Sequence, residues 1–363
     1  MIDADAFAAL LCDWCLEADE GQQVLVSGSR LAEPLIVAVH RELLLRGAWP
    51  AVRMSPPRLQ EDFYTHAGDA QLDGFAPVEL AEIETVDATL RIDAPANLNA
   101  LAGIDPRRIA RAARARQPLQ EARSARRWSF TQWPTPALAQ AARMGEGDYE
   151  AFLTRALFLH HDDPIAAWRE LSARQEDLVQ RLSGAREIRI QTDGTDLRLR
   201  VDGRRWVNSD GRRNMPSGEV FTGPLEDSAD GSIRFTIPSR TRGVDVEDVE
   251  LTFSEGRVVA ARAQRGDEYL QSALATDDGA RYLGELGIGT NVGIDRATGS
   301  TLLDEKIAGT VHLALGRSYK ETGGSNVSAL HWDLICDLRK GGELSVDGEP
   351  LELDQFLNPR PVQ

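Results

Sequence analysis

Residues 310–338, "TVHLALGRSYKETGGSNVSALHWDLICDL", carry apolar alternation at both ends of a Gly-Gly turn. A period of two puts Val311, Leu313 and Leu315 on one face of a first strand, with His312 and Ala314 opposite. In the second strand Trp332, Leu334, Cys336 and Leu338 share a face, and His331 and Asp333 lie on the other. Each strand therefore has an apolar face to bury, and two of the chain's six histidines fall on the face left over. One such histidine reads as a surface residue. Two on neighbouring strands, one with a carboxylate at i+2, read as ligands, because neutral imidazole and carboxylate suit divalent ions of the Zn, Mn, Co and Fe group.

Working outward, β-alternation begins at "SGAREIRIQT" (183–192) and continues through "DLRLRVDG" (196–203), "GSIRFTIPS" (231–239) and "DVELTFSEGRVVAARA" (248–263). One helical stretch, "DEYLQSALATDDGARYL" (267–283), interrupts it. The rhythm before residue 184 is different. "QQVLVSGS" (22–29) is a strand, "RLAEPLIVAVHRELLLRGA" (30–48) a helix and "WPAVRM" (49–54) a second strand, which is a βαβ unit. The pattern returns with strand "VDATLRIDA" (86–94), capped helix "DPRRIARAARAR" (105–116) and strand "RRWSFTQWP" (126–134). Two helices follow up to Leu182, broken near His161–Pro164. The expected architecture is an α/β domain with a parallel sheet over 1–183, then a β-rich α+β metal-binding domain over 184–363, with "NPRPVQ" (358–363) as trailing coil. A length of 363 residues exceeds what one core usually organises.

A net charge of −16 disfavours a nucleic-acid partner, whose phosphates it would repel. No apolar run approaches the ~20 residues of a membrane span. The opening "MIDADAFAALLCDWCLEADEG" carries acids in place of a basic leader, so a cytoplasmic setting is expected. Three cysteines make no disulfide framework. Cys12 and Cys15 lie in an apolar, helix-like segment and read as packing residues, and Cys336 as a core-facing strand residue. "SGSR" (27–30) follows a strand and precedes a helix, but lacks the further glycines of a dinucleotide fingerprint. The first domain reads as scaffold.

Acids that complete a metal site come from three places. Glu219 heads a short apolar strand in "NMPSGEVFTGPLEDS" (214–228). Glu285 lies in "RYLGELGIGTN" (281–291), which reads as a glycine-rich loop. Glu305 lies in "LLDEKIAGT" (302–310), a short loop ahead of His312. Lys306 and Arg317 read as surface charge, with a substrate carboxylate as the alternative.

The residues from about Gly194 to Gly348 resemble the M29 metallopeptidases, the thermophilic aminopeptidase T family. The matching stretches are "VNSDGRRNMPSGEVFTGPLEDSADG" (207–231), "GELGIGTN" (284–291), "DEKIAGTVHLALGRSY" (304–319) and "GGSNVSALHWDLI" (323–335). The resemblance implies that Glu219, Glu285, His312, His331 and Asp333 are metal ligands, with Glu285 bridging, and that Tyr319 is an active-site tyrosine. Glu305 is then an added ligand or an anchor behind the ligands. It further implies two divalent ions (Zn, Co or Mn), hydrolysis of short peptides from the N-terminus, and a homodimer. One rival is a non-haem Fe(II) ring-cleaving dioxygenase built on His312, His331 and Asp333 alone. Another is a binding protein that has kept the fold without the activity.

Overall fold

The computed structural model describes residues 2–241 and 243–357, and the coil expected at 358–363 lies outside them. Two compact units are present. One takes the residues through Ile165 together with Gly211–Pro216; the other takes Ala166–Asp210 together with those from Ser217 on.

The first unit is built on a five-stranded parallel sheet ordered Trp49–Ser55, Gln23–Ser29, Ala88–Asp93, Arg127–Gln132, Asn214–Met215. The four longer strands are those the βαβ rhythm predicts. The two-residue strand at 214–215 is too short to leave a period in the sequence. Helices cap themselves as expected: Asp105 accepts from the Arg107 backbone N–H at the start of Pro106–Ala115. The opening helix Ala4–Leu10 runs into a π-helical turn, Leu11–Cys15, that buries both Cys12 and Cys15. Burial pushes the Cys12 thiol up to about 12, and the Cys15 thiol donates to the Gly211 carbonyl at 3.2 Å. Both behave as packing residues.

The second unit contains two antiparallel sheets around a common core. The larger includes Glu187–Thr192, Thr195–Arg200, Asp230–Phe235 and Val244–Ser254; the smaller is ordered His331–Asp337, Thr310–Gly316, Leu283–Gly289, Glu219–Thr222, Val207–Ser209. Ile188, Ile190, Leu197 and Leu199 from the first and Leu286, Ile288, Val311, Leu313, Leu334 and Cys336 from the second belong to one apolar cluster. Period-2 alternation thus buries the faces expected of the two histidine strands. The helix Pro164–Leu182 aims Leu171, Gln175, Leu178 and Leu182 inward at helical spacing, and Leu178 and Leu182 join the same cluster. Among the described residues no helix is long and apolar enough to cross a membrane.

Candidate metal centre

The five-stranded antiparallel sheet turns its second face to the candidate site. Leu283–Gly289, which reads as a loop, is its central strand, paired to Thr310–Gly316 on one side and Glu219–Thr222 on the other. A bulge between Leu283 and Glu285 shifts the register, after which Leu286 and Ile288 enter the core. Glu285, Gly287 and Gly289 then fall on the opposite face. Glu285 pairs with Ala314, which pairs with Asp333, and Gly287 pairs with His312. The glycine at 287 is required by space: a Cβ there would lie 2.1 Å from Cε1 and Nε2 of the His312 ring. At Gly289 a Cβ would lie 2.1 Å from the Ile307 carbonyl oxygen, so the strand passes close beneath the Lys306–Ile307 turn. The glycines that made this segment look like a loop are what let a strand carry a site on its face.

Every candidate from the sequence converges here. Ligand atoms of Glu219, Glu285 and His312 lie within 4.8 Å of one another, as do those of Glu285, His331 and Asp333, and those of Glu305, His312 and Asp333. The carboxylate of Glu285 stands between the imidazoles, with Oε1 3.4 Å from His312 Nε2 and Oε2 3.5 Å from His331 Nε2. His331 Nδ1 donates to the Arg317 carbonyl at 2.8 Å, which orients the ring with Nε2 towards Glu285. Gln175, from the helix Pro164–Leu182, donates to the Glu219 carbonyl and holds that strand end in place.

Lys306 corrects the sequence reading. It is wholly buried, with Nζ 2.9 Å from Glu219 Oε1 and in contact with Glu305 Oε1. Its signal in the sequence is modest: the charged trio Asp304-Glu305-Lys306 is bracketed by Leu303 and Ile307, both buried. Arg317 is exposed, as surface charge requires.

Burial dominates the electrostatics. It pushes the Glu285 carboxyl up, with Asp333 and Glu219 adding and His312 opposing. It drives Glu305 up to about 8, against the attraction of Lys306. For Glu219, burial is outweighed by Lys306 and His312, which hold it down at about 2. Burial raises the Tyr319 phenol too, and the charges of Glu285, Asp333 and Glu305 add to that. The Tyr319 ring meets His331 edge-on at 5.0 Å and Phe221 at 5.8 Å, while 38% of the residue stays exposed.

The segment between Tyr319 and His331 is pinned at several points, Asn326 Nδ2 donating to the Gly279 and Gly316 carbonyls at 2.8 and 2.6 Å. Glu226 Oε1 accepts from Ser325 N–H and Oγ–H at 2.7 and 2.8 Å. Asp277 accepts from Ser328 Oγ–H and Ala329 N–H, both at 2.7 Å.

The donors suit a divalent cation. Glu219 Oε2 is buried and makes no hydrogen bond among the described residues, though His312 Nε2 is 3.2 Å away. An acceptor left so costs free energy unless a cation meets it. Four carboxylates and two imidazoles face a single fixed ammonium, the donor chemistry that Zn, Mn or Co accepts.

A buried face of this kind has the donor set of a divalent-cation site. The sequence matches the thermophilic metalloproteases (M29) over residues 3–349, and the chain belongs to that family. It is 31% identical to Aminopeptidase 2 of Geobacillus stearothermophilus across 95% of this chain and 94% of that protein. Identity to Aminopeptidase T of Thermus thermophilus is also 31%, over 69% of each. The solved structure of wild-type AmpT from Thermus thermophilus superposes with a TM-score of 0.81 at 26% identity, covering 96% of both chains. A 2,5-dihydroxypyridine dioxygenase from Pseudomonas putida KT2440 superposes at 0.60 with 15% identity over 97% of this chain and 99% of that one, a likeness of fold alone. The protein is thus a metallopeptidase, and its family carries divalent-metal dependence.

Proposed function

We propose that the protein is an aminopeptidase that releases N-terminal amino acids from short peptides. Two divalent ions per chain, of the Zn, Co or Mn group, would be held by Glu219, Glu285, Glu305, His312, His331 and Asp333. The observation that carries this is the Glu285 carboxylate, which offers one oxygen towards each imidazole. When bound, such ions supply Lewis acidity that polarises a peptide carbonyl and acidifies water. The remaining work falls to the chain. Tyr319, kept protonated and partly exposed beside His331, is placed to donate a hydrogen bond to the oxyanion that develops on the carbonyl.

The dioxygenase reading needs one carboxylate beside two histidines, whereas four buried or nearly buried carboxylates gather here. A homodimer and a cytoplasmic setting belong to the same proposal, and sizing chromatography tests the first. The deciding experiment digests a peptide panel with chelator-stripped protein, with and without added Zn, Co or Mn, and reads the products by mass spectrometry. Stepwise loss of N-terminal residues that returns with metal is expected. Internal cleavage, or no release with any of the metals, overturns the proposal. One iron per chain with O₂ uptake would establish the rival.

A further inference from the structure

Lys306 is the one fixed cation in contact with the carboxylates gathered at the candidate centre, among the described residues. Its backbone is held firmly. The Lys306 N–H donates to the Leu303 carbonyl at 3.1 Å, its carbonyl accepts from Asn291 N–H at 3.0 Å, and the next peptide lies against Gly289. The side chain has no exposure, so Nζ has no solvent to turn to. It engages Oε1 of Glu219 and Oε1 of Glu305 together. Glu219 keeps Oε2 free of hydrogen bonds on the His312 side.

We infer that Lys306 is a positioning residue that sets the ion selectivity of the centre, by engaging one oxygen of each of two glutamates so that each offers a single oxygen to a cation. This rests on the metal centre proposed above. The physical basis is the difference between hard and borderline ions. Ca²⁺ collects about six to eight oxygens and uses carboxylates in two-oxygen fashion, whereas Zn²⁺ and its neighbours take fewer donors and accept imidazole. A carboxylate oxygen held by an ammonium shares its charge and one lone pair with it, so it is the poorer donor of the two, and closure of both oxygens on a large ion is disfavoured. Two glutamates restrained in this way leave a centre poor in oxygen for Ca²⁺ but sufficient for Mn²⁺ or Zn²⁺. Removing the ammonium charge would tighten binding of every divalent ion, so the informative quantity is a ratio of affinities.

The test is calorimetric titration of chelator-stripped protein with MnCl₂ and with CaCl₂, for the wild type and for Lys306→Met. The wild type should prefer Mn²⁺ by about a hundredfold, and the variant should narrow that ratio by about tenfold or more. A merely structural lysine would change overall affinity or the melting temperature and leave the ratio alone, so an unchanged ratio in a folded variant overturns the inference. Should Lys306→Met fail to fold, Lys306→Leu is titrated in its place, and an unchanged ratio there overturns the inference; wild-type affinities for Ca²⁺ and Mn²⁺ within about tenfold of each other overturn it in either case. A wild type that binds Mn²⁺ and Ca²⁺ alike removes only the role given to Lys306. One that binds neither removes the metal centre and this inference together.

Discussion

In the parallel sheet of the first unit, the strands Gln23–Ser29 and Ala88–Asp93 bury Val24, Val26, Leu90 and Ile92. In the antiparallel sheet of the second, Leu283–Gly289 and Thr310–Gly316 are buried at every residue, yet one face of each holds glycine, alanine, glutamate and histidine. The first sheet is stabilised by apolar area, at roughly 25 cal/mol per Å² removed from water. The second has such a face as well, and behind it a layer whose burial opposes stability, because each ionised carboxylate loses several kcal/mol of hydration unless it is compensated. Complete burial with little apolar content sets this layer apart, and it is the layer to which the proposed function assigns the chemistry.

The contrast breaks first at Glu285. Glu285→Gln should lower peptide hydrolysis by about a thousandfold or more, since it removes the charge between the two imidazoles. Circular dichroism should be unchanged, and the melting temperature of the metal-free protein equal or higher, because a buried charge has gone. An unfolded variant would make Glu285 structural and erase the distinction between the sheets. Leu313→Ala, one residue from His312 but on the core face, should do the reverse. Denaturant titration should show about 2–5 kcal/mol lost, while the folded fraction keeps its turnover. Gly287→Ala crosses both categories. The new methyl group meets the His312 ring, so about 1–3 kcal/mol of stability and much of the metal affinity should fall together.

Glu17 in the first unit marks the small end of the scale. Its half-exposed carboxylate lies between Arg127 and Arg212, which hold it below its usual 4.5. A depressed carboxylate contributes stability above that usual value and loses it as pH falls through the folded one. Glu17→Gln should therefore cost no more than about 1 kcal/mol at pH 7, and melting curves of the two proteins should converge on acidification below 4.5.

Legibility in the sequence followed the same physics. The faces of the two histidine strands could be read because apolar residues mark every second position, and the parallel sheet because strands alternate with helices. Leu283–Gly289 reads as a loop because glycine disfavours strands, and only the ring of His312 lying over Gly287 explains why glycine is needed there. Lys306 reads as surface charge because a lysine beside acids ordinarily faces water, and its burial depends on Glu219, which is remote in sequence. The helix Pro164–Leu182 shows its own period, but which core receives its apolar stripe is a tertiary fact.

A strand without room for a single added carbon at Gly287 or Gly289 is a floor that cannot be re-tiled. On the proposed function, variation in which peptides are accepted falls to the side chains beside that floor, in the 317–330 segment that bears Tyr319 against His331 and is tethered through Glu226 and Asp277. Anyone seeking to redirect such an enzyme should redesign that tethered segment and leave the paving alone.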